Sequence, residues 1–546
     1  MRYLKVLNQI LQKHFILFVT VLVIGISYLS FLRIFNAFPI EDAFISFRYI
    51  KHLLNGYGLV FNPGEMPVEG YSNFLWILVV AVTQWLFHLD IIQTSLILSI
   101  VFMLSNACLI VFLYPYPSKS TNLRIAVLMG ILLNPFLLYW TYSGMETALF
   151  SVLITLILFA TLSARNSTRS IILLALVQYL LVLCRMDGLL IVAVSYTYLF
   201  FEKKNAIILK ALPLLGLFLL PYFIWKIIYF GNILPNTFYS KALVYEFFLQ
   251  NLLRGFEYVV SFLSFSGFIA LLVPCLFFFL LGLHRKHSKQ NSIIVIFFLT
   301  VSTYFTLIMV VGGDFYDGFR FLVPFLPVLI YVLITICHDV FIRLGFKLTS
   351  GILAIILLSL FFSPAEYVRN IKKSSYSYYL IAKISEKIFP PNFSIALAPI
   401  GVYGYYTDFK IIDTLGIVEP HIARTQVKKV RSIGHEKGDG EYILAQNPDV
   451  IFFRNTHFET YPFQYATIEQ AYASDETIST AEAFLANYES FSVRISAEQL
   501  QGLNEFAGIY DGFKVDQPMY LGGYVLKGTR LLNVECQNNQ SCVLFE

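Results

Sequence analysis

The sequence predicts an all-α polytopic membrane domain followed by a small soluble domain of the α/β or α+β class. The 546 residues are 57% hydrophobic and only 13% charged, whereas an ordinary soluble domain carries about 25% charged residues. Apolar stretches long enough to cross a bilayer recur up to Pro364, and the composition then becomes polar and charged. We therefore expect a transmembrane domain over 1–364 and a soluble domain over 365–546.

The apolar stretches predict about eleven membrane crossings of roughly 15 to 25 residues each. They lie at about 15–35, 92–113, 125–142, 147–164, 170–184, 188–201, 211–229, 258–283, 291–311, 321–343 and 349–363. A further apolar stretch at 74–89 is short and contains Trp76, Trp85 and His88, which are typical of a membrane interface.

The distribution of basic residues predicts the orientation. The loops at 118–124, 165–169, 202–210, 284–289 and 343–347 are basic, and basic loops remain in the cytoplasm. The N-terminus carries Arg2, Lys5 and Lys13, so it is predicted to be cytoplasmic as well. Only two crossings then fit before 118–124, and we expect the stretch at 74–89 not to cross. An odd number of crossings places the C-terminal domain outside the cytoplasm.

The soluble domain has the signature of alternating strands and helices. Strands are predicted at 394–398, 410–413 and 450–453, and a turn into a helix at 401–406. Cys536 and Cys542 lie in the polar tail. In an oxidising compartment they form a disulfide, and the alternative is two free thiols.

The acidic residues at the ends of the predicted spans fall on the outer side of the membrane, where carboxylates are costly to place near lipid. They are Glu41, Asp42, Glu65, Glu69, Glu146, Asp187 and Asp314, and they are accompanied by Arg48, Arg185, Asn236, Lys241 and Arg320. Such a set predicts one outward-facing cavity with carboxylates for proton transfer and cations for an anionic group. The net charge of +5 is small and spread over the loops, so no nucleic-acid partner is indicated.

A sugar carried on a polyprenyl phosphate fits such a cavity, because its lipid tail lies in the bilayer and its phosphate needs Lys or Arg. Attack by an acceptor hydroxyl at the anomeric carbon requires a general base, and Asp42 is the predicted base. Arg48, Arg185, Lys241 and Arg320 are the predicted phosphate ligands. Further site candidates are Glu146, Asp187, Asn236 and Asp314.

Several of these residues also have a purely structural interpretation. Glu41 and Asp42 suit the first turn of a helix that begins near Ala43. Arg185 and Asp187 suit an ion pair between two short helices, and Glu146 suits a simple pairing with a neighbour. Lys226 is expected to extend its ammonium group to the membrane surface. His435 is isolated, and no set of residues with the spacing of a metal site accompanies it.

The first outer loop, residues 36–73, carries a specific resemblance to a known family. The runs EDAFISFRY at 41–49, GYGLVFNPGE at 56–65 and VEGYSNFLW at 68–76 resemble the terminal β-(1→2)-arabinofuranosyltransferase family of mycobacterial cell-wall synthesis and its wider bacterial relatives, within the GT-C superfamily. The similarity continues in order through SGMET at 143–147, RMDG at 185–188, YFGNILPNTFYSK at 229–241, GGDF at 312–315, RF at 320–321, DTLGI at 413–417 and GH at 434–435.

This resemblance implies a GT-C-type membrane glycosyltransferase in the bacterial inner membrane. It implies an inverting transfer outside the cytoplasm from a polyprenyl-phosphate sugar to a cell-envelope glycan, lipid or protein. It also implies a soluble C-terminal domain and places the catalytic acid on the Glu41–Asp42 pair. The family usually has two aspartates there, whereas this chain has Glu41 before Asp42. Neither arabinose as the sugar nor any cofactor or metal follows from the resemblance.

Two other function classes compete with an enzyme. One is a transporter or flippase of lipid-linked glycans, and the other is a non-catalytic envelope scaffold whose C-terminal domain binds glycan or protein. Transporters tend to show internal repeats and binding groups near the middle of the bilayer. Here the ionisable groups collect at one face, which favours the enzyme. A scaffold leaves the acidic first loop unexplained.

Overall fold

The described residues that precede Pro364 form helices joined by loops and contain no strand. The computed structural model describes residues 38–116, 121–241, 248–266, 289–343, 364–365, 367–368, 375–427, 429, 431, 435–453, 457–463, 472–503, 517–536 and 542–544. Its first helices are α1 Glu41–Leu54, α2 Phe74–Phe87, α3 Ile91–Leu113, α4 Thr121–Leu132, α5 Pro135–Thr141, α6 Thr147–Leu162 and α7 Thr168–Cys184. They continue as α8 Gly188–Phe201, α9 Asn205–Phe230, α10 Asn236–Ser240, α11 Phe248–Phe265, α12 Lys289–Val311 and α13 Leu326–Arg343, the last preceded by a 3₁₀ turn at Val323–Phe325.

Several of the described helices are candidate membrane spans by length and composition. Three of them, within α3, α9 and α12, are long and apolar enough to cross, and there are four if the bent pair α4 and α5 is counted as one broken span. Five shorter apolar helices accompany them, α2 among these. The predicted spans at 15–35 and 349–363, and most of 258–283, lie outside the described residues. The total of eleven crossings, and the prediction that 74–89 does not cross, therefore stay predictions.

The stretch predicted as one crossing at 125–142 is not one continuous helix. Two helices, α4 and α5, meet there at an angle of 51°. The side chain of Asn134 accepts hydrogen bonds from the backbone N–H groups of Phe136 and Leu137, at 3.1 and 3.2 Å, and Pro135 occupies the first position of α5. Asn as an N-cap and Pro directly after it start a new helix, because Pro has no N–H to continue the preceding one.

The C-terminal domain is built on a mixed β-sheet. Its described strands are β1 Ser394–Leu397, β2 Lys410–Asp413, β3 Val450–Ile451, β4 His457–Glu459, β5 Tyr488–Ile495, β6 Met519–Leu526, β7 Val534–Cys536 and β8 Cys542–Leu544. They follow the order β2-β1-β3-β6-β5-β8-β7, with β4 also paired to β6. Strand β1 pairs in parallel with β2 and β3, and the remaining pairs are antiparallel except β5 with β8.

The short helices of this domain cover the sheet. They are α14 Ser375–Ile388, α15 Gly401–Tyr406, α16 Pro420–Ala423, α17 Gly440–Ala445, α18 Ala473–Thr480, α19 Glu482–Asn487 and α20 Ala497–Gly502. The predicted strands at β1, β2 and β3 and the predicted helix at α15 are confirmed. The predicted disulfide between Cys536 and Cys542 is also present, and it joins β7 to β8.

Helix α15 packs directly on α1, so the C-terminal domain lies against the segment 36–73. Two glycines allow this close approach. A Cβ atom at Gly401 would collide with the backbone oxygen of Glu41, and one at Gly404 would lie 2.8 Å from the Arg48 guanidinium. The glycines in this segment therefore serve helix packing between the two domains.

Candidate active site

Asp42 lies in the first turn of α1 and faces the loop between α12 and α13. The Tyr316 hydroxyl donates a hydrogen bond to Asp42 Oδ1 at 3.1 Å, and Arg320 Nη1 donates to Oδ2 at 2.9 Å. The Asp42 side chain is 17% exposed. The carboxylate is thus held in one orientation but remains accessible.

Arg320 ties two carboxylates together. Its Nη1 binds Asp42, and its Nη2 donates to Asp314 Oδ1 at 2.8 Å. The arginine is 5% exposed, and its guanidinium lies 5.2 Å from the centre of the Tyr316 ring. Since a planar guanidinium presents its N–H groups in a fixed fork, this arrangement sets the relative positions of Asp42 and Asp314.

The charges around Asp42 keep it ionised at neutral pH. Burial by itself would raise the pKa of Asp42, but the positive charges of Lys241 and Arg320 and the hydrogen bonds from Arg320 and Tyr316 hold it below its ordinary value of 3.8. Lys241 follows α10 directly and its side chain is exposed. It forms no ion pair with any residue that the structure describes. The site therefore contains an ionised carboxylate and an adjacent cation that is available to a ligand.

Glu41 points away from this site although it is adjacent to Asp42 in sequence. Its carboxylate accepts a hydrogen bond from the backbone N–H of Gly401 at the start of α15, and Glu41 is 9% exposed. Burial and the neighbouring Asp42 carboxylate raise the pKa of Glu41 to about 8. This geometry favours a role for Glu41 in attaching the C-terminal domain to α1.

A second buried ionic cluster centres on Arg185. Its guanidinium binds Glu146 at 3.1 Å and Asp187 at 2.7 Å, so the paired arrangement considered for these residues is present. Asn73 donates to the other oxygen of Glu146 at 3.0 Å, and the Tyr304 hydroxyl donates to Asp187. Because Arg185 already binds two carboxylates, we expect it to be a poor ligand for a phosphate.

Arg48, a predicted phosphate ligand, is enclosed by backbone carbonyl groups. It is 1% exposed. Its Nε donates to the Phe61 carbonyl at 2.6 Å, and its other nitrogens reach the carbonyls of Gly404 and Phe409, the latter at 3.1 Å. The structure does not bring Arg48 together with Asp42. Its contacts favour a structural role between the first outer loop and the C-terminal domain.

Asn236 has a similar structural environment. Its amide nitrogen donates to the carbonyls of Gly416 and Ile417, at 2.9 and 3.1 Å, and its oxygen accepts from Arg424 at 3.2 Å. These partners all belong to the C-terminal domain. Asn236 therefore joins α10 to the segment that follows β2, and it does not contact Asp42.

Sequence reasoning missed one residue of the site, Tyr316, and made a wrong prediction for Lys226. Tyr316 was not identified, although its position two residues after Asp314 in a polar loop was a signal. The expectation that Lys226 reaches the membrane surface is wrong, because its ammonium group is buried and paired with Glu69 at 2.8 Å. Lys226 lies one helical turn before the end of α9, close to the loop that carries Glu69. It can therefore pair with that carboxylate instead of extending to the membrane surface.

The described residues contain no group of three or more His, Cys, Asp or Glu side chains that is arranged to hold a metal ion. His435 stacks on Tyr472 with ring centres 5.0 Å apart and lies 4.3 Å from the ring centre of Phe315. Phe315 adjoins Asp314, so the C-terminal domain reaches the rim of the Asp42 site at this point.

Comparison with known proteins shows the fold. Residues 369–495 match a family described as a domain of unknown function, DUF8728. No curated protein matches the sequence. The crystal structure of ArnT from Cupriavidus metallidurans in the apo state is similar with a TM-score of 0.50 at 10% identity, over 74% of this chain and 87% of that one. ArnT from the same organism bound to undecaprenyl phosphate gives a TM-score of 0.45 at 10% identity, over 72% and 85%. The chain thus has the fold of the apo ArnT structure.

Proposed function

We propose that this protein is an inverting glycosyltransferase that moves a pentose or hexose from a polyprenyl-phosphate donor to a cell-envelope glycan, lipid or protein outside the cytoplasm. The observation that carries the proposal is an ionised, accessible Asp42 carboxylate that senses the positive charge of Lys241, an exposed lysine with no ion-pair partner among the described residues. The GT-C-type fold supports it, since ArnT is a glycosyltransferase of that superfamily. The resemblance of the first outer loop to a polyprenyl-phosphate-dependent family supports it as well.

In the proposed reaction Asp42 takes the proton of an acceptor hydroxyl, and the hydroxyl oxygen attacks the anomeric carbon of the donor sugar. The bond between that carbon and the phosphate oxygen breaks, and its electron pair leaves with the polyprenyl phosphate. Attack from the side opposite the leaving group inverts the anomeric configuration. Lys241 stabilises the negative charge that increases on the departing phosphate.

The other residues of the site orient these two groups. Tyr316 and Arg320 occupy one lone pair on each oxygen of Asp42, so the carboxylate is fixed without being fully saturated. Fixing the base removes the need to reorganise it during the reaction. Arg320 is shared by Asp42 and Asp314, so we assign it to orientation and Lys241 to the phosphate.

The experiment is transfer by purified protein from synthetic undecaprenyl-phosphate pentoses and hexoses to an envelope extract of a strain that lacks the gene. Asp42→Asn keeps the shape of the side chain and removes the base, so the rate should fall by roughly 10²–10⁴-fold. Asp317→Asn is the matched control, because Asp317 is an exposed carboxylate in the same loop as Tyr316, and its rate should stay near that of the wild type.

Wild-type turnover by a folded Asp42→Asn protein would reject the assignment of the base. Movement of the lipid-linked sugars across proteoliposomes, with no transfer from any of them, would instead favour a flippase.

A further inference from the structure

Two buried polar atoms beside Asp42 have no hydrogen-bond partner among the residues that the structure describes. They are Asp314 Oδ2 and Arg320 Nε. The side chains that carry them are only 5% and 6% exposed. A buried polar group without a partner is costly, and the large majority of buried polar atoms in proteins have a partner in the protein or in ordered water. These two atoms, which belong to the two partners of one ion pair, are therefore candidates for contacts with a ligand.

The loop geometry fixes the direction of the Asp314 carboxylate. Gly313 has a φ of +91°, a conformation that favours glycine, and the Tyr258 side chain lies against it. Asp314 Oδ1 is bound by Arg320 Nη2 at 2.8 Å, which leaves Oδ2 as the unpaired oxygen. One oxygen thus anchors the carboxylate, and the second has no hydrogen-bond partner among the described residues.

The unpaired atoms lie close to the proposed base, because Arg320 contacts both Asp42 and Asp314. A single guanidinium contacts Asp42 at 2.9 Å and Asp314 at 2.8 Å. A ligand bound at Asp314 Oδ2 is therefore separated from Asp42, the proposed general base, by the guanidinium group of Arg320. In the reaction proposed above, the donor sugar occupies this region.

We propose that Asp314 Oδ2 accepts a hydrogen bond from a hydroxyl of the donor sugar, and that Arg320 Nε donates one to an oxygen of the same sugar. An unpaired acceptor and an unpaired donor on two residues that are joined by an ion pair match a neutral sugar with a free hydroxyl at this position. This subsite rests on the proposed function and goes further by assigning the contact that selects the sugar. A donor that lacks the hydroxyl leaves a buried carboxylate oxygen unpaired, and such sites discriminate strongly.

The test uses the synthetic undecaprenyl-phosphate sugar that the wild type accepts, together with its monodeoxy analogues, one for each ring hydroxyl. For each analogue the penalty is the ratio of kcat/KM for the complete donor to that for the analogue. In the wild type, one analogue should show a penalty of at least about 100-fold. In Asp314→Ala and in Asp314→Asn, the penalty for that same analogue should fall below about 5-fold, and in Asp317→Asn it should not change.

The ratio separates recognition from structure. If Asp314 only orients Arg320, its substitution slows the complete donor and the analogue equally, and the penalty persists, which overturns the proposal. A wild type that shows no penalty above about 10-fold for any analogue overturns it without the variants. Transfer from none of the donors rejects the proposed function and this subsite with it, whereas transfer without a penalty rejects the subsite alone.

Discussion

Arg185 and Arg320 face the same aromatic ring. Their guanidinium carbons lie 4.9 and 5.3 Å from the ring centre of Phe321. Two positive charges beside one ring are tolerated because each arginine binds two carboxylates, Glu146 and Asp187 in one case and Asp42 and Asp314 in the other.

This relationship makes Lys241 the cation to test. Each arginine with its two carboxylates has a formal charge of −1, so neither group by itself attracts a phosphate. Lys241 adds a positive charge at Asp42 without an ion-pair partner among the described residues. An anionic donor should therefore bind at the Lys241 side of Asp42.

Lys241→Met should raise the KM for the lipid-linked donor by about 10- to 100-fold, the range expected for losing a hydrogen bond to a charged group. It should also raise the pKa of Asp42, because one of the two charges that hold it down is gone and burial then has more effect. The acid limb of the kcat/KM profile should move to higher pH. The control is Lys210→Met, at an exposed lysine elsewhere in the chain, which should change neither the KM for the donor nor the acid limb of the profile. An unchanged KM in Lys241→Met would show that Lys241 does not bind the donor.

Glu41→Gln should change how stability depends on pH. The pKa of Glu41 is raised from 4.5 to about 8 by burial and by Asp42, so the folded protein binds a proton that the unfolded chain releases. Stability from this group is complete below about pH 4.5 and declines as the pH rises to about 8. The melting temperature of the wild type should therefore fall more between pH 5 and 8 than that of Glu41→Gln. Parallel curves for the two proteins would contradict the raised pKa.

Arg48→Ala should destabilise the attachment of the C-terminal domain without acting on the chemistry directly. It leaves the carbonyls of Phe61, Gly404 and Phe409 without their donor, at about 1–3 kcal/mol each. Lys51→Ala is the matched control on the same helix, because its ion pair with Asp408 is exposed and worth less than about 1 kcal/mol. Thermal unfolding in detergent should show a large loss for Arg48→Ala and almost none for Lys51→Ala. Equal losses would reject the structural role.

The orientation of the chain is testable with reporter fusions. Alkaline phosphatase, which is active only outside the cytoplasm, should be active when fused after residue 546 and inactive when inserted within 284–289. This follows from the alternation of basic loops. A fusion near His88 should be active too if 74–89 does not cross. The opposite pattern at 546 and 284–289 would reject the predicted topology.

Local composition and spacing predicted part of the fold, whereas strands β4 to β8 and most helices of the C-terminal domain were not predicted. The apolar helices, strands β1 to β3 and helix α15 follow from patterns within a few residues, because the backbone responds to its immediate sequence. The break at Asn134 and Pro135 also depends on the local sequence. An N-cap residue followed directly by a proline would have predicted two helices within 125–142.

The partner of each charged side chain, by contrast, was decided by the tertiary structure. Glu41 and Asp42 are adjacent, yet consecutive side chains on a helix point about 100° apart. One therefore meets α15 and the other meets Arg320. Arg48 is a cation by its sequence, but the carbonyl of Gly404, 356 residues away, makes it part of a domain contact. A residue type determines which charge is present, and only the packing of distant segments determines whether that charge is neutralised, buried or left for a ligand.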